Sequence, residues 1–183
     1  MLINSAAAEN AAILQTAQAM AAAARTAPKT KGVDHMHTLI VTGDELGVLA
    51  DEMHRLADEQ GVGFFHRDAE CVRKAGAVLF IGVENASYGL NGLCRYCHYE
   101  NCADMESHDG ACVYPSIDLG IAIGSAVSVA ADNRVDCRVM FSVGKGVLSL
   151  GWMGEAVTMV MGIPLSVSGK SPFFDRKSTA PAK

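Results

Sequence analysis

The chain has 183 residues, half of them hydrophobic and 19 % charged, with a formal charge of −5. That length and composition suit one compact domain with a buried core and exclude a disordered or low-complexity chain. The negative balance, with no long Lys/Arg run, argues against a nucleic-acid partner.

Residues Ser5 to Arg25 read as a helix, with Ile13, Leu14, Ala17, Met20, Ala21 and Ala24 at helical spacing. Pro28 and Gly32 end it. This N-terminus has no basic n-region, and Glu9 breaks its apolar stretch, so no secretory signal is expected. Met36 to Thr42 reads as a strand. Asp44 to Glu59 is an amphipathic helix, with Leu46, Leu49, Ala50, Met53, Leu56 and Ala57 in one stripe. A short helix over Asp68 to Ala75 and an apolar strand over Gly76 to Val83 follow. After a polar, cysteine-rich loop, Pro115 and Ser116 open a helix that runs to Asp132. Its apolar core, Leu119 to Ala131, is short of the roughly 20 residues that a bilayer-spanning helix needs. A cytoplasmic protein without a membrane partner is the expectation. Val135, Cys137, Val139, Phe141 and Val143 alternate with polar residues and predict a strand. Val147 to Met161 is apolar nearly all round and predicts a central helix stopped by Gly162 and Pro164. Leu165 to Ser168 adds a last strand, and Ser178 to Lys183 a loose tail. Helices and few strands in this order predict a single α+β or α/β domain over residues 1–183, with helices on both faces of a small sheet.

The chemistry concentrates in the loop. Cys94-x2-Cys97-x4-Cys102-x9-Cys112 places four thiols within nineteen residues. A clustered four in a cytosolic chain points to a soft metal centre: an iron–sulfur cluster or zinc. The spacing follows neither the bacterial C-x2-C-x2-C run nor the plant-type order. Zinc remains open, with His98 and His108 as spare ligands, and so do disulfides or free thiols. Glu100, Asp104, Glu106 and Asp109 make the loop acidic, whereas zinc knuckles that serve nucleic acid have basic neighbours.

Elsewhere the residues point less directly. Cys71 and Cys137 read as packing thiols. Ser116, Gly120, Gly124 and Ser128 form a small-residue face that suits close packing, a flat cofactor or a partner subunit. His35 and His37 share one strand face, and a metal site there lacks a visible third ligand. Arg25 and Lys29, with Lys170 and Arg176 near the other end of the chain, are candidates for clamping a cofactor phosphate. No GxGxxG or GxxxxGK[ST] motif and no hydrolytic triad is legible.

Several ordered motifs resemble one family. They are Leu90-Asn91-Gly92-Leu93-Cys94 with the cysteines that follow, Asp118-Leu119-Gly120-Ile121-Ala122-Ile123-Gly124-Ser125-Ala126, Arg138-Val139-Met140-Phe141-Ser142-x-Gly144, Gly162-Ile163-Pro164-Leu165-Ser166-x-Ser168-Gly169-Lys170 and Phe173-Phe174-Asp175-Arg176. Together they are similar to the ferredoxin-domain-containing proteins of anaerobic bacteria and archaea, over about Asn10 to Arg176. The resemblance implies that Cys94, Cys97, Cys102 and Cys112 ligate a [4Fe–4S] cluster and that the protein exchanges electrons with a donor or acceptor protein. A looser resemblance, carried by Ala27-Pro28 before Leu39-Ile40-Val41 and by Gly162-Ile163-Pro164, is to nitroreductases. It implies a nitroreductase-like three-layer α+β sandwich, a homodimer, and FMN at the subunit interface, with residues 90–114 inserted as the cluster loop.

Overall fold

The computed structural model describes residues 1–174, so Arg176 and the tail expected at 178–183 lie outside the described residues. Helix α1 (Ser5–Thr26) starts where the Asn4 side chain accepts the Ala7 N–H at 2.9 Å. Strand β1 (Met36–Val41) follows, then α2 (Glu45–Gln60), which stops at left-handed Gly61. Next come α3 (Phe64–Arg73), β2 (Ala77–Glu84), the cysteine loop with its short α4 (Cys102–Ser107), and α5 (Val113–Asp132). Strand β3 (Asp136–Cys137), α6 (Phe141–Ser149) and β4 (Val157–Ser166) complete the chain.

The strands form one antiparallel sheet in the order β1-β2-β4-β3. Strand β2 is apolar at every position from Ala77 to Ile81 because both of its faces are covered. Val78 and Phe80 enter a core with α2, α3 and α6, while Leu79, Ile81 and Val83 enter a second core with α1 and α5. The result is the expected three-layer sandwich. Helix α5 is long and apolar enough, by length and composition, to cross a membrane. In this fold its Leu119, Ala122, Ala126 and Ala130 are buried against α1 and the sheet.

Two expected elements are corrected. The alternation over 135–143 yields only a two-residue strand. Met140, Val143 and Val147 are buried while Val139 and Phe141 are exposed, so helical spacing wins from Phe141 onward. The apolar run over 147–161 is the end of α6, a turn through left-handed Gly151 and Gly154, and the start of β4. A strand buried on both faces has no alternation to betray it. Gly162 and Pro164 therefore lie inside a strand. Gly162 exchanges both backbone bonds with Met140, at 2.8 and 3.1 Å. Pro164, two residues on, faces the same side, in the gap between Met140 and Cys137, so its missing N–H breaks no ladder. Gly144 lets α6 approach this strand, since a Cβ there would sit 2.0 Å from the Val160 carbonyl oxygen.

Candidate metal centre

The cysteine loop leaves the sheet at the end of β2 and returns at the start of α5. Its backbone is tightly bent. Asn91, Arg95, His98 and Asp109 hold left-handed φ values between 50 and 68°, four of the six such non-glycine residues among those described. Cys94 closes a one-turn helix by donating its N–H to the Asn91 carbonyl at 3.2 Å. Cys102 opens α4, whose N-cap Asn101 accepts the Asp104 N–H at 2.9 Å. Cys112 is the N-cap residue of α5, where the helix dipole favours negative charge.

All four cysteines line one pocket, a narrow cavity of about 20 Å³. Tyr88, Tyr96, Tyr99 and Tyr114 line it too, and these are all the tyrosines in the chain. Tyr96 stacks on Tyr114 at 6.1 Å, and Tyr88 meets Tyr114 edge-on at 6.0 Å. Burial, with a hydrogen bond to Cys94, pushes the Tyr114 hydroxyl above its ordinary pKa. Cys102 is held below the ordinary thiol value by a hydrogen bond from the Ser87 hydroxyl and by the Asn91 N–H, 3.3 Å from its sulfur. Such bonds favour a thiolate, the form that binds metal. Among the described residues no group of three or more His, Cys, Asp or Glu side chains is placed to hold a metal ion. The donor set nevertheless fits an iron–sulfur group: four soft sulfurs around one aromatic-walled space, with backbone N–H donation to sulfur.

The candidate zinc ligands His98 and His108 do not line this pocket. His108 stacks on Tyr99 at 5.8 Å and lies 3.3 Å from Asp104. Cys71 and Cys137 lie on α3 and β3, away from the pocket, and burial raises both thiols. The tyrosines were missed by sequence reasoning. Their signal was the confinement of all four to residues 88–114.

Behind the pocket sits a buried carboxylate, Asp118 on α5. It accepts the Tyr88 hydroxyl at 2.7 Å and the Thr30 N–H and hydroxyl at 3.0 and 2.8 Å. Lys31 donates to the Tyr88 carbonyl at 3.0 Å. The turn after α1, the pocket wall and α5 are thus one hydrogen-bonded unit.

Among the described residues, Arg25, Lys29 and Lys170 of the expected phosphate clamp do not converge, and Arg176 lies outside those residues. Arg25 donates to Asp34 at 2.6 Å and to the Met36 carbonyl at 2.8 Å. Lys29 directs its three protons at the carbonyls of Ala24, Arg25 and Ala27 around the end of α1, which leaves none for a phosphate. Both residues flank the sheet end where Met36 pairs with Val83. Lys170 follows β4 at the other end, where Leu165 pairs with Ala77. Six residues of β2 separate these ends, about 20 Å at strand rise.

The family model for uncharacterised proteins containing a ferredoxin domain (DUF2148) matches residues 108–176. An uncharacterised protein of Archaeoglobus fulgidus is 41 % identical over 185 residues, covering 96 % of this chain and 98 % of that one. The chain belongs to this ferredoxin-domain family. Among solved structures, a nitroreductase with bound FMN from Desulfitobacterium hafniense superposes with a TM-score of 0.60 at 14 % identity, over 92 % of this chain and 82 % of that one. NfrA1 of B. megaterium gives 0.56 at 14 % identity over 93 % of this chain. The chain spans 63 % of that protein's length. At these identities the likeness is one of fold, and the fold is nitroreductase-like.

Proposed function

We propose that this is a cytoplasmic redox protein that holds one [4Fe–4S] cluster on Cys94, Cys97, Cys102 and Cys112 and exchanges electrons with a partner protein. The observation that carries the reading is the convergence of all four thiols and all four tyrosines on one pocket. Bound there, a [4Fe–4S] cluster would supply one-electron transfer. The Ser87 hydroxyl, the Asn91 N–H and the N-terminus of α5 stabilise the negative thiolates.

Protein purified without oxygen should be brown and carry about four iron and four sulfide per chain. Stoichiometric zinc with no iron in such protein overturns the reading. Cys112→Ala should abolish or convert the cluster, whereas Cys137→Ala should keep full iron content.

The fold supports a second cofactor. The Desulfitobacterium hafniense fold-mate is a nitroreductase with bound FMN, and FMN held between two copies of this chain is the corresponding proposal here. FMN should then raise the melting temperature more than riboflavin does. Equal shifts from both flavins would remove the phosphate from the recognition.

A further inference from the structure

Strand pairing brings together three metal-ligating side chains outside the cysteine loop. His35 and His37 flank Met36, two residues apart, and so point to one face of the sheet. Glu84 lies opposite His35, where its N–H donates to the His35 carbonyl at 3.3 Å. His37 pairs with Gly82, which carries no side chain to separate His37 from Glu84. The pairing with β4 shifts register between Val83 and Glu84, a bulge of the kind that re-aims a side chain. The Glu84 carboxylate then meets both rings: Oε1 lies 2.7 Å from His37 Nε2, and Oε2 lies 3.3 Å from His35 Nδ1.

We propose that His35, His37 and Glu84 form a second metal site, for a divalent first-row ion of the class that takes two imidazoles and one carboxylate and keeps open positions. Two bonds of about 2.1 Å at a right angle put their donor atoms roughly 3 Å apart. The two observed nitrogen–oxygen distances straddle that edge length. As hydrogen-bonded, the three side chains are not placed to hold an ion, so binding requires them to rearrange. Binding exchanges the ring protons that face Glu84 for the cation. The side chains are 26 %, 42 % and 33 % exposed, which leaves a solvent side for the remaining ligands. Two neutral imidazoles, one carboxylate and a divalent ion sum to a single positive charge. The His35 ring also packs edge-on against Tyr88 at 5.8 Å, and Tyr88 lines the cysteine pocket. The second site therefore stands one aromatic ring from the first, although its existence does not depend on a cluster there.

Mn2+ is the probe, because it is a first-row divalent ion that favours carboxylate and water over the thiolates that would capture zinc. The full-length chain should bind one Mn2+, read as loss of the free-ion EPR signal. Bound Mn2+ should show nitrogen coupling that changes when the histidines are labelled with 15N. Glu84→Gln and His37→Ala should each weaken binding about tenfold or more, while Cys137→Ala leaves it unchanged. The site is overturned if the wild-type chain retains no Mn2+, if bound Mn2+ shows no histidine coupling, or if both substitutions leave the affinity intact. The coupling experiment uses only the wild-type chain, so it stands even where a variant fails to fold.

Discussion

Asp118 shows how much a single side chain organises in this protein. Only 2 % exposed, it takes donors from Thr30 and Tyr88, residues that lie 88 and 30 positions away. Asp118→Ala leaves the Tyr88 hydroxyl and the Thr30 amide buried without an acceptor and should cost about 3 kcal/mol. Tyr88→Phe should cost about 1.5 kcal/mol, since it removes one bond to a charged group. Denaturant melts of both variants and the double variant check this, and the double variant should cost less than the sum. Additive costs would mean that the two groups do not act together. The cysteines were legible in the sequence because metal ligands can gather within one short loop. The Asp118 unit was not, because its partners meet only after α1 and α5 pack. Lys29 misled for a related reason: a basic residue beyond a helix suits an anion site and a helix C-terminus equally well, and only the carbonyl geometry decides.

At the scale of elements, Glu52 ties α2 to α6. It accepts from Arg55 at 2.5 and 2.8 Å and from the Ser149 hydroxyl. The Arg55 hydrogen bond, opposed by partial burial and aided by Ser149, lowers the Glu52 carboxyl from 4.5 to about 2. Between those values the unfolded chain carries a proton here that the folded chain lacks. The contribution of Glu52 is therefore complete above pH 4.5 and is lost as pH falls toward about 2. Melting temperatures across that window should fall less for Glu52→Gln than for the wild type, and parallel curves would deny Glu52 the role. The helices α1, α2 and α5 and the strands β1 and β2 were readable from period and stop residues. Strand β4 was not: covered on both faces, it shows no alternation, and its Pro164 is tolerated only because β3 leaves a gap beside it. Nothing within β4 itself marks that gap.

For the whole molecule, both helical layers leave apolar side chains exposed, among them Val48, Phe64 and Phe141 on the α2/α3/α6 side. On the α1/α5 side, Leu14, Ile117 and Ile121 remain 43 %, 41 % and 41 % exposed, and nothing lies within 4 Å of a Cβ built on Gly120 or Gly124. A second copy of this chain is the expected cover, because small residues let helices approach closely. Light scattering should give a dimer mass, and Ile121→Asp should shift it to the monomer; a monomeric wild type would rule out this use of the face. The cysteine loop has a separate consequence for the life of the protein. Its left-handed residues store strain on the order of 1 kcal/mol each, and Arg95 is one of them. Whatever fastens the four thiols also guards that bond from proteases, so loss of the fastener should make Arg95 the first tryptic cut. The pieces on either side would hold together, because β2 before the cut stays paired with β1 and β4, and α5 after it stays packed on α1. A nicked but folded chain would then be a lasting record that the centre had been lost.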